Sequence, residues 1–270
     1  MPSFRETIRQ ALPPEIRDIQ IPKGFKRIGS LMILRSREEI PEIVGNIVME
    51  KFSWCTGVFQ QTGTLGENRR PILRHLAGNP TTITKHKENG VVYVLDAGKI
   101  TFSGGNRNLR QRILKEVKDG EKLLDMFAAV GNLSMQPIVH RQIDYILVER
   151  DPITYSYLLK TLYANGKKTE KAFNIDCREI ELENWADRVL MGYHEVDHTH
   201  LKVATQALKS SGTIHLHPLE KREKVNQRVE KYIEILKKQS ISIEETQIFE
   251  VKKFAPRISH FELVFKVQKL

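Results

Sequence analysis

The 270 residues include only two cysteines, Cys55 and Cys177. Two thiols make no disulfide framework, so a reducing cytoplasm is the expected compartment. No apolar run reaches the roughly 18 residues needed to span a bilayer, and the opening MPSFRETIRQ lacks the character of a secretory signal. A membrane partner is therefore not expected. Repeats, low-complexity tracts and obvious flexible linkers are also missing. Glycine is scarce where a diphosphate would need it. In LLDMFAAVGNLSM (123–135) Gly131 is the one glycine left, and a diphosphate requires several backbone N–H groups at close range, which argues against NAD or ATP.

What the chain does carry is positive charge, unevenly spread. Residues 1–115 hold 19 Lys and Arg against 10 Asp and Glu, whereas residues 116–270 hold 24 against 23. A basic module joined to a neutral one suggests a polyanion gripped by the first and handled by the second.

The second half alternates apolar strands with helical patterns. KLLDMFAAV (122–130), QIDYILVER (142–150), KAFNIDCREI (171–180), ADRVLMGY (186–193) and GTIHLHP (212–218) read as strands. MQPIVHR, DPITYSYLLKTLYANGKK with its Asn-Gly stop, and EKREKVNQRVEKYIEILKKQ read as helices. SIEETQIFEVKKF and HFELVFKVQ look like a closing antiparallel pair. This order predicts an α/β fold with a mostly parallel sheet whose ligand lies at the carboxyl ends of the strands.

The first part predicts a small α+β module. RIGSLMILRS reads as a strand, REEIPEIVGNIVMEKF as a helix despite Pro41, and VVYVLDAGKITFS as a hairpin turning at Asp96-Ala97-Gly98. Boundaries of 1–95 for the basic module and 96–270 for the catalytic domain follow, with FSGGNRNLRQRIL as connector.

Three strand ends carry a ligand constellation. Gly131 permits close approach of a cofactor without phosphate. Glu149 ends the second strand, where an acid can hold a ribose diol, and Asp176 ends the third, where a carboxylate can accept an adenine amino hydrogen. DRVLMGYHEVDHTH (187–200) offers another chemistry. His194, Glu195, Asp197, His198 and His200 are zinc- or iron-type ligands, and His215 and His217 share one strand face. No spacing among them matches a known metal motif, and no metal is expected.

HKENG (86–90), FSGGN (102–106) with Arg110, LLDMFAAVG, ERDP (149–152) and ADRVLMGY together resemble the archaeal-eukaryotic tRNA methyltransferase family, over nearly the whole chain. That family modifies the guanosine 3′ of the anticodon. One branch methylates guanosine N1. The other, in the wybutosine/wyosine pathway, moves the 3-amino-3-carboxypropyl group of S-adenosylmethionine to 4-demethylwyosine. Met191-Gly192-Tyr193 stands where the methylating branch shows Asn-Leu-Pro, GTIHLH is similar to a His-x-His strand of the second branch, and the extra N-terminal domain typical of the methylating branch finds no room. The resemblance thus implies an aminocarboxypropyltransferase, with guanine-N1 methylation as the alternative. A tRNA-binding protein without turnover and a metal-dependent enzyme remain as readings from other classes.

The resemblance further implies a class I methyltransferase-like sheet preceded by a small α+β domain, with S-adenosylmethionine as co-substrate and phenylalanine tRNA as partner. It places Ser103 and Arg110 at the amino-acid end of the cofactor, Glu149 at the ribose and Asp176 at the adenine. Phe127, Gly131 and Cys177 complete that set. Tyr193, His198, His215 and His217 fall on the substrate side, and Arg107 and Arg112 toward tRNA phosphates. Phe127 and Tyr193 are also candidates to cradle a splayed-out base. Ala129, Leu133 and Leu109 depart from the Gly, Phe and Glu usual in the family. No catalytic base is assigned.

Overall fold

The computed structural model describes residues 2–66 and 69–270 and separates into two compact units, 1–104 and 105–270. No helix among the described residues is long and apolar enough to cross a membrane.

In the first unit, helix α1 (Phe4–Ala11) opens on a capping box in which Ser3 and Glu6 satisfy each other's backbone N–H groups. Strands β1 (Lys26–Ile28) and β2 (Leu31–Arg35), helix α2 (Glu42–Lys51), and strands β3 (Gly57–Leu65) and β4 (Arg70–Gly78) follow. They form a sheet in the order β1-β2-β3-β4, with β2 and β3 parallel and α2 as the crossover. Ile8, Leu12, Met32, Leu34, Val44, Val48 and Val58 make the core beneath it. Strands β5 (Ile83–Glu88) and β6 (Val91–Asp96) form a separate antiparallel hairpin around Asn89-Gly90, both at positive φ.

Three expectations change here. RIGSLMILRS is two strands, because Gly29 at φ +59 turns the chain between them. Pro41 precedes α2 as its N-cap rather than sitting inside it. VVYVLDAGKITFS does not fold back on itself. Asp96 instead turns the chain, accepting the Gly98 N–H at 2.9 Å, and β6 pairs backward with β5. The two compact units divide after Gly104, where the sequence reading set the boundary after residue 95.

The second unit begins with helix α3 (Arg107–Glu116), where a connector was expected. Strand β7 (Lys122–Asp125), helix α4 (Met135–His140), strand β8 (Asp144–Val148), helix α5 (Pro152–Ala164), strand β9 (Ala172–Phe173) and strand β10 (Ala186–Met191) follow. Helix α6 (His198–Ala207), strands β11 (Leu208–Leu216) and β12 (Leu219–Glu220), helix α7 (Val225–Lys237), and strands β13 (Ile241–Ala255) and β14 (Ile258–Lys269) complete it. Pairing gives the order β9-β8-β7-β10-β11-β14-β13, with β12 on part of β14. β7 through β11 run parallel and β14 runs antiparallel between β11 and β13. This is the class I methyltransferase-like sheet expected from the sequence.

One face of that sheet packs Val189, Met191, Ile214, Leu216, Leu263 and Phe265 against α6 and α7. Strand order reverses between β7 and β10, so a crevice opens beyond their carboxyl ends.

Candidate cofactor and substrate site

At this switch point β7 runs into a tight turn. Asp125 ends the strand fully buried, and its Oδ1 accepts the Phe127 N–H at 3.2 Å while its second oxygen has no hydrogen-bond partner. Burial pushes this carboxyl up to about 7, against the pull of the nearby Ser134 hydroxyl and of the Phe127 N–H. Gly131 stands at φ +82, and a Cβ there would lie 2.1 Å from the Met135 side chain, so the turn into α4 demands glycine. Ala129 also adopts a left-handed conformation, φ +50, which explains why a glycine suits that position.

Glu149 follows β8. Its Oε2 accepts the Ala129 N–H at 2.9 Å and its Oε1 the Asp151 N–H at 2.8 Å. Burial raises its pKa while the two N–H groups oppose the rise. Each oxygen keeps a second lone pair, so a ribose diol can still be received. Asn174, after β9, donates to the carbonyls of Glu149 and Arg150 at 2.7 and 3.0 Å, which draws the third strand end toward the second.

Asp176 is placed differently from expectation. Its oxygens take Arg178 Nε at 2.8 Å and Nη2 at 2.7 Å, and Arg150 stands at 3.8 Å. The bonds from Arg178 hold its carboxyl well below the usual carboxylate range. An adenine amino group would have to share this carboxylate with two guanidiniums. The Cys177 thiol is packed into the core and pushed up to about 12 by burial, so its side chain is an inert filler.

Phe127 and Tyr193 come together: their rings stack at 5.2 Å with planes 20° apart. His200, read from the sequence only as a metal-type ligand, is the third member, 5.4 Å from Phe127 and 6.1 Å from Tyr193. Tyr193 is 41% exposed, which leaves a ring accessible at the crevice. HEVDHTH is a strand-to-helix junction and not only a loop. Asp197 caps α6 by accepting the N–H groups of Thr199 and His200, while His198, exposed, is its first residue.

Two histidines expected at the substrate side are enclosed instead. His215 is fully buried, donating from Nδ1 to Glu262 at 2.9 Å and receiving Arg188 at Nε2 at 2.6 Å. Arg188 continues to Glu121 at 2.9 Å, and Arg112 closes the other end on Glu262 through Nε at 2.7 Å. Arg112 therefore neutralises a buried carboxylate and stacks on Phe249 at 3.9 Å, rather than facing phosphates. Arg107 is exposed. His217 is buried against His260 at 3.3 Å, and burial lowers its pKa to about 4. Alternation along β11 and β14 explains the error: His215, His217, His260 and Glu262 all point to the face that α3 covers.

Arg110 lies on α3 and is 1% exposed, so an anionic partner can meet it only in an enclosed site. Ser103 is half-buried at the end of the first unit. No group of three or more His, Cys, Asp or Glu side chains among the described residues is placed to hold a metal ion. The donor set is one suited to a nucleoside with an amino-acid arm: a carboxylate with spare lone pairs at the second strand end, an unpartnered buried acid oxygen, and a glycine turn.

Two family models match the chain, the TYW2 N-terminal domain over residues 4–81 and the TRM5/TYW2 methyltransferase domain over residues 84–244. A tRNA(Phe) (4-demethylwyosine(37)-C(7)) aminocarboxypropyltransferase of Pyrococcus horikoshii is 32% identical over 99% of this chain and 97% of its own. The tRNA (guanine(37)-N(1))-methyltransferase Trm5b of Methanocaldococcus jannaschii is 31% identical over 99% of this chain and 78% of its own. Among solved structures, P. horikoshii TYW2 in complex with MeSAdo superposes with a TM-score of 0.85 at 30% identity, covering 99% of this chain and all of that one.

Proposed function

We propose, for a chain that belongs to the TRM5/TYW2 methyltransferase-domain family, that it transfers the 3-amino-3-carboxypropyl group of S-adenosylmethionine to 4-demethylwyosine beside the anticodon of phenylalanine tRNA, releasing methylthioadenosine. One observation carries the choice of branch. The model of the TYW2 N-terminal domain matches residues 4–81. The residues Met191-Gly192-Tyr193 at the end of β10 support the same choice.

When bound, S-adenosylmethionine supplies a sulfonium that activates its methyl, ribose C5′ and methionine Cγ alike. Selection among them is a matter of position, so the chain's contribution is chiefly orientation. Glu149 is suited to anchor the ribose, and Arg110 to pair with the methionine carboxylate in an enclosed site where a guanidinium–carboxylate pair is strong. The Phe127–Tyr193 pair offers a face on which the target base can stack. Basic residues of the first 115 supply phosphate contacts.

A double-label assay tests the reading. Purified protein is incubated with tRNA bearing 4-demethylwyosine and with S-adenosylmethionine labelled either in the methyl or in the carboxyl carbon. Carboxyl label in tRNA with release of methylthioadenosine is expected. Methyl label in tRNA would assign the chain to guanine-N1-type chemistry instead.

A further inference from the structure

Transfer to a ring carbon leaves a proton to be removed, and the structure supplies a group for it. We infer that His200, held by Asp197 against the Phe127–Tyr193 stack, is the base that takes this proton. The inference rests on the reaction proposed above.

The geometry has three parts. First, α6 begins where β10 delivers the chain to the crevice, and Asp197 and His200 lie at its start, as N-cap and third residue. Second, His200 Nδ1 is 2.8 Å from Asp197 Oδ1 and 3.4 Å from the Asp197 N–H, which it would accept as a capping box; we assign the proton to Nδ1 because the carboxylate contact is the shorter of the two. The Asp197 carboxyl is held well below the usual carboxylate range, despite burial, by Thr199 and the His200 N–H, so it stays ionised. That tautomer puts the ring's free lone pair on Nε2, the nitrogen turned away from Asp197. Third, the imidazole packs against both stacked rings, at 5.4 and 6.1 Å between centroids. A base lying on the exposed Tyr193 ring would join a cluster of which the imidazole is already a member. His200 is only 8% exposed, which limits competition from water.

The step balances. The ring carbon donates an electron pair to the methionine Cγ as the Cγ–S bond breaks and its pair stays on sulfur. The substituted ring is then cationic and still holds its C–H proton. Nε2 takes that proton, the C–H electron pair restores the ring, and Asp197 stabilises the imidazolium until solvent removes the extra proton. Glu195, 3.4 Å from the Tyr193 hydroxyl, is a rival acceptor at the stack.

The experiment measures single-turnover transfer of carboxyl label for the parent and for His200→Ala, Asp197→Asn and Glu195→Gln. Loss of a positioned base is expected to slow His200→Ala by about 10²-fold or more, with S-adenosylmethionine affinity held within about threefold. Added imidazole should restore part of the rate, and deuterium at the reacting carbon should slow the variant more than the parent. Asp197→Asn retains a good helix cap yet loses the charge behind the imidazole, so its rate should fall with little change in melting temperature. Parent-like turnover of His200→Ala, or a loss that imidazole does not relieve and deuterium does not deepen, overturns the assignment. An equally deep loss in Glu195→Gln alone moves the role to that carboxylate. Failure of the parent itself to transfer carboxyl label refutes the underlying reaction and this base with it, a result distinct from the others.

Discussion

Glu149 Oε2 accepts the backbone N–H of Ala129 at 2.9 Å, and that bond joins the end of the second strand to the turn after the first. Ala129 makes it from φ +50, a left-handed conformation that costs a residue with a Cβ roughly 1–2 kcal/mol. Glycine would relieve the strain but adds freedom to the unfolded chain worth about 0.5–1 kcal/mol. Ala129→Gly is accordingly expected to raise stability by up to about 1 kcal/mol. A urea titration reads the result, and a destabilised variant would contradict the assigned turn geometry.

Glu149→Ala should weaken S-adenosylmethionine by about 1–3 kcal/mol, through lost charge-assisted bonds to the ribose. Calorimetric titration measures it. Because the same carboxylate holds the Ala129 and Asp151 N–H groups, the melting temperature is followed alongside. An unchanged dissociation constant in a folded variant would remove Glu149 from the cofactor site.

Tyr193→Ala should lower kcat/KM for tRNA by about 10- to 100-fold, the loss of one aromatic stacking surface worth roughly 1–3 kcal/mol per base. Cofactor affinity should stay the same. If tRNA turnover is unaffected, the target base does not lie on the Phe127–Tyr193 pair.

Most of the second unit was legible in the chain because its strands are short apolar runs separated by helical spacing, and Asp151-Pro152 and Asn165-Gly166 punctuate α5 clearly. The first unit was legible only in part: α2, β2 and β6 lie in the segments read as helix and strand, whereas β3 and β4 did not show. β3 and β4 read GVFQQTGTL and RPILRHLAG, where polar residues break the alternation, and Gln60 is buried on side-chain bonds to the backbone of Ser36 and Glu38. Glu149 and Gly131 stood out from strand-end placement, and Phe127 and Tyr193 as separate candidates whose stacking on each other only the structure reveals. His200 was hidden because its partner Asp197 looked like a metal ligand instead of a helix cap. The histidines of β11 misled for a related reason: periodicity fixes that His215 and His217 share a face, and only the packing of α3 reveals that the face is closed.

Two buried groups give opposite pH slopes. Asp125, raised to about 7 chiefly by burial, favours the folded state when protonated; that contribution is complete below the ordinary carboxyl range and lost as pH rises through 7. His217, lowered to about 4 chiefly by burial, contributes stability that is present above the ordinary histidine range and lost as pH falls toward 4. Asp125→Asn removes the first slope alone. Its stability relative to the parent should therefore improve from about pH 5 to about pH 8, as urea midpoints would show; a pH-independent difference would mean that Asp125 titrates normally.

The placement of β14 bears on how the molecule is made. The strand of this sheet that leaves the ribosome last is an interior one, seated between β11 and β13 and carrying Glu262 and His260. Until it emerges, β11 has a bare edge, His215 and Arg112 lack their carboxylate, and β13 has nothing to pair with. The sheet can then close only once β14 has been made, however early its parallel strands assemble. A stop codon after Ala255 would not trim a tail but remove an interior strand of the sheet and leave β13 unpaired.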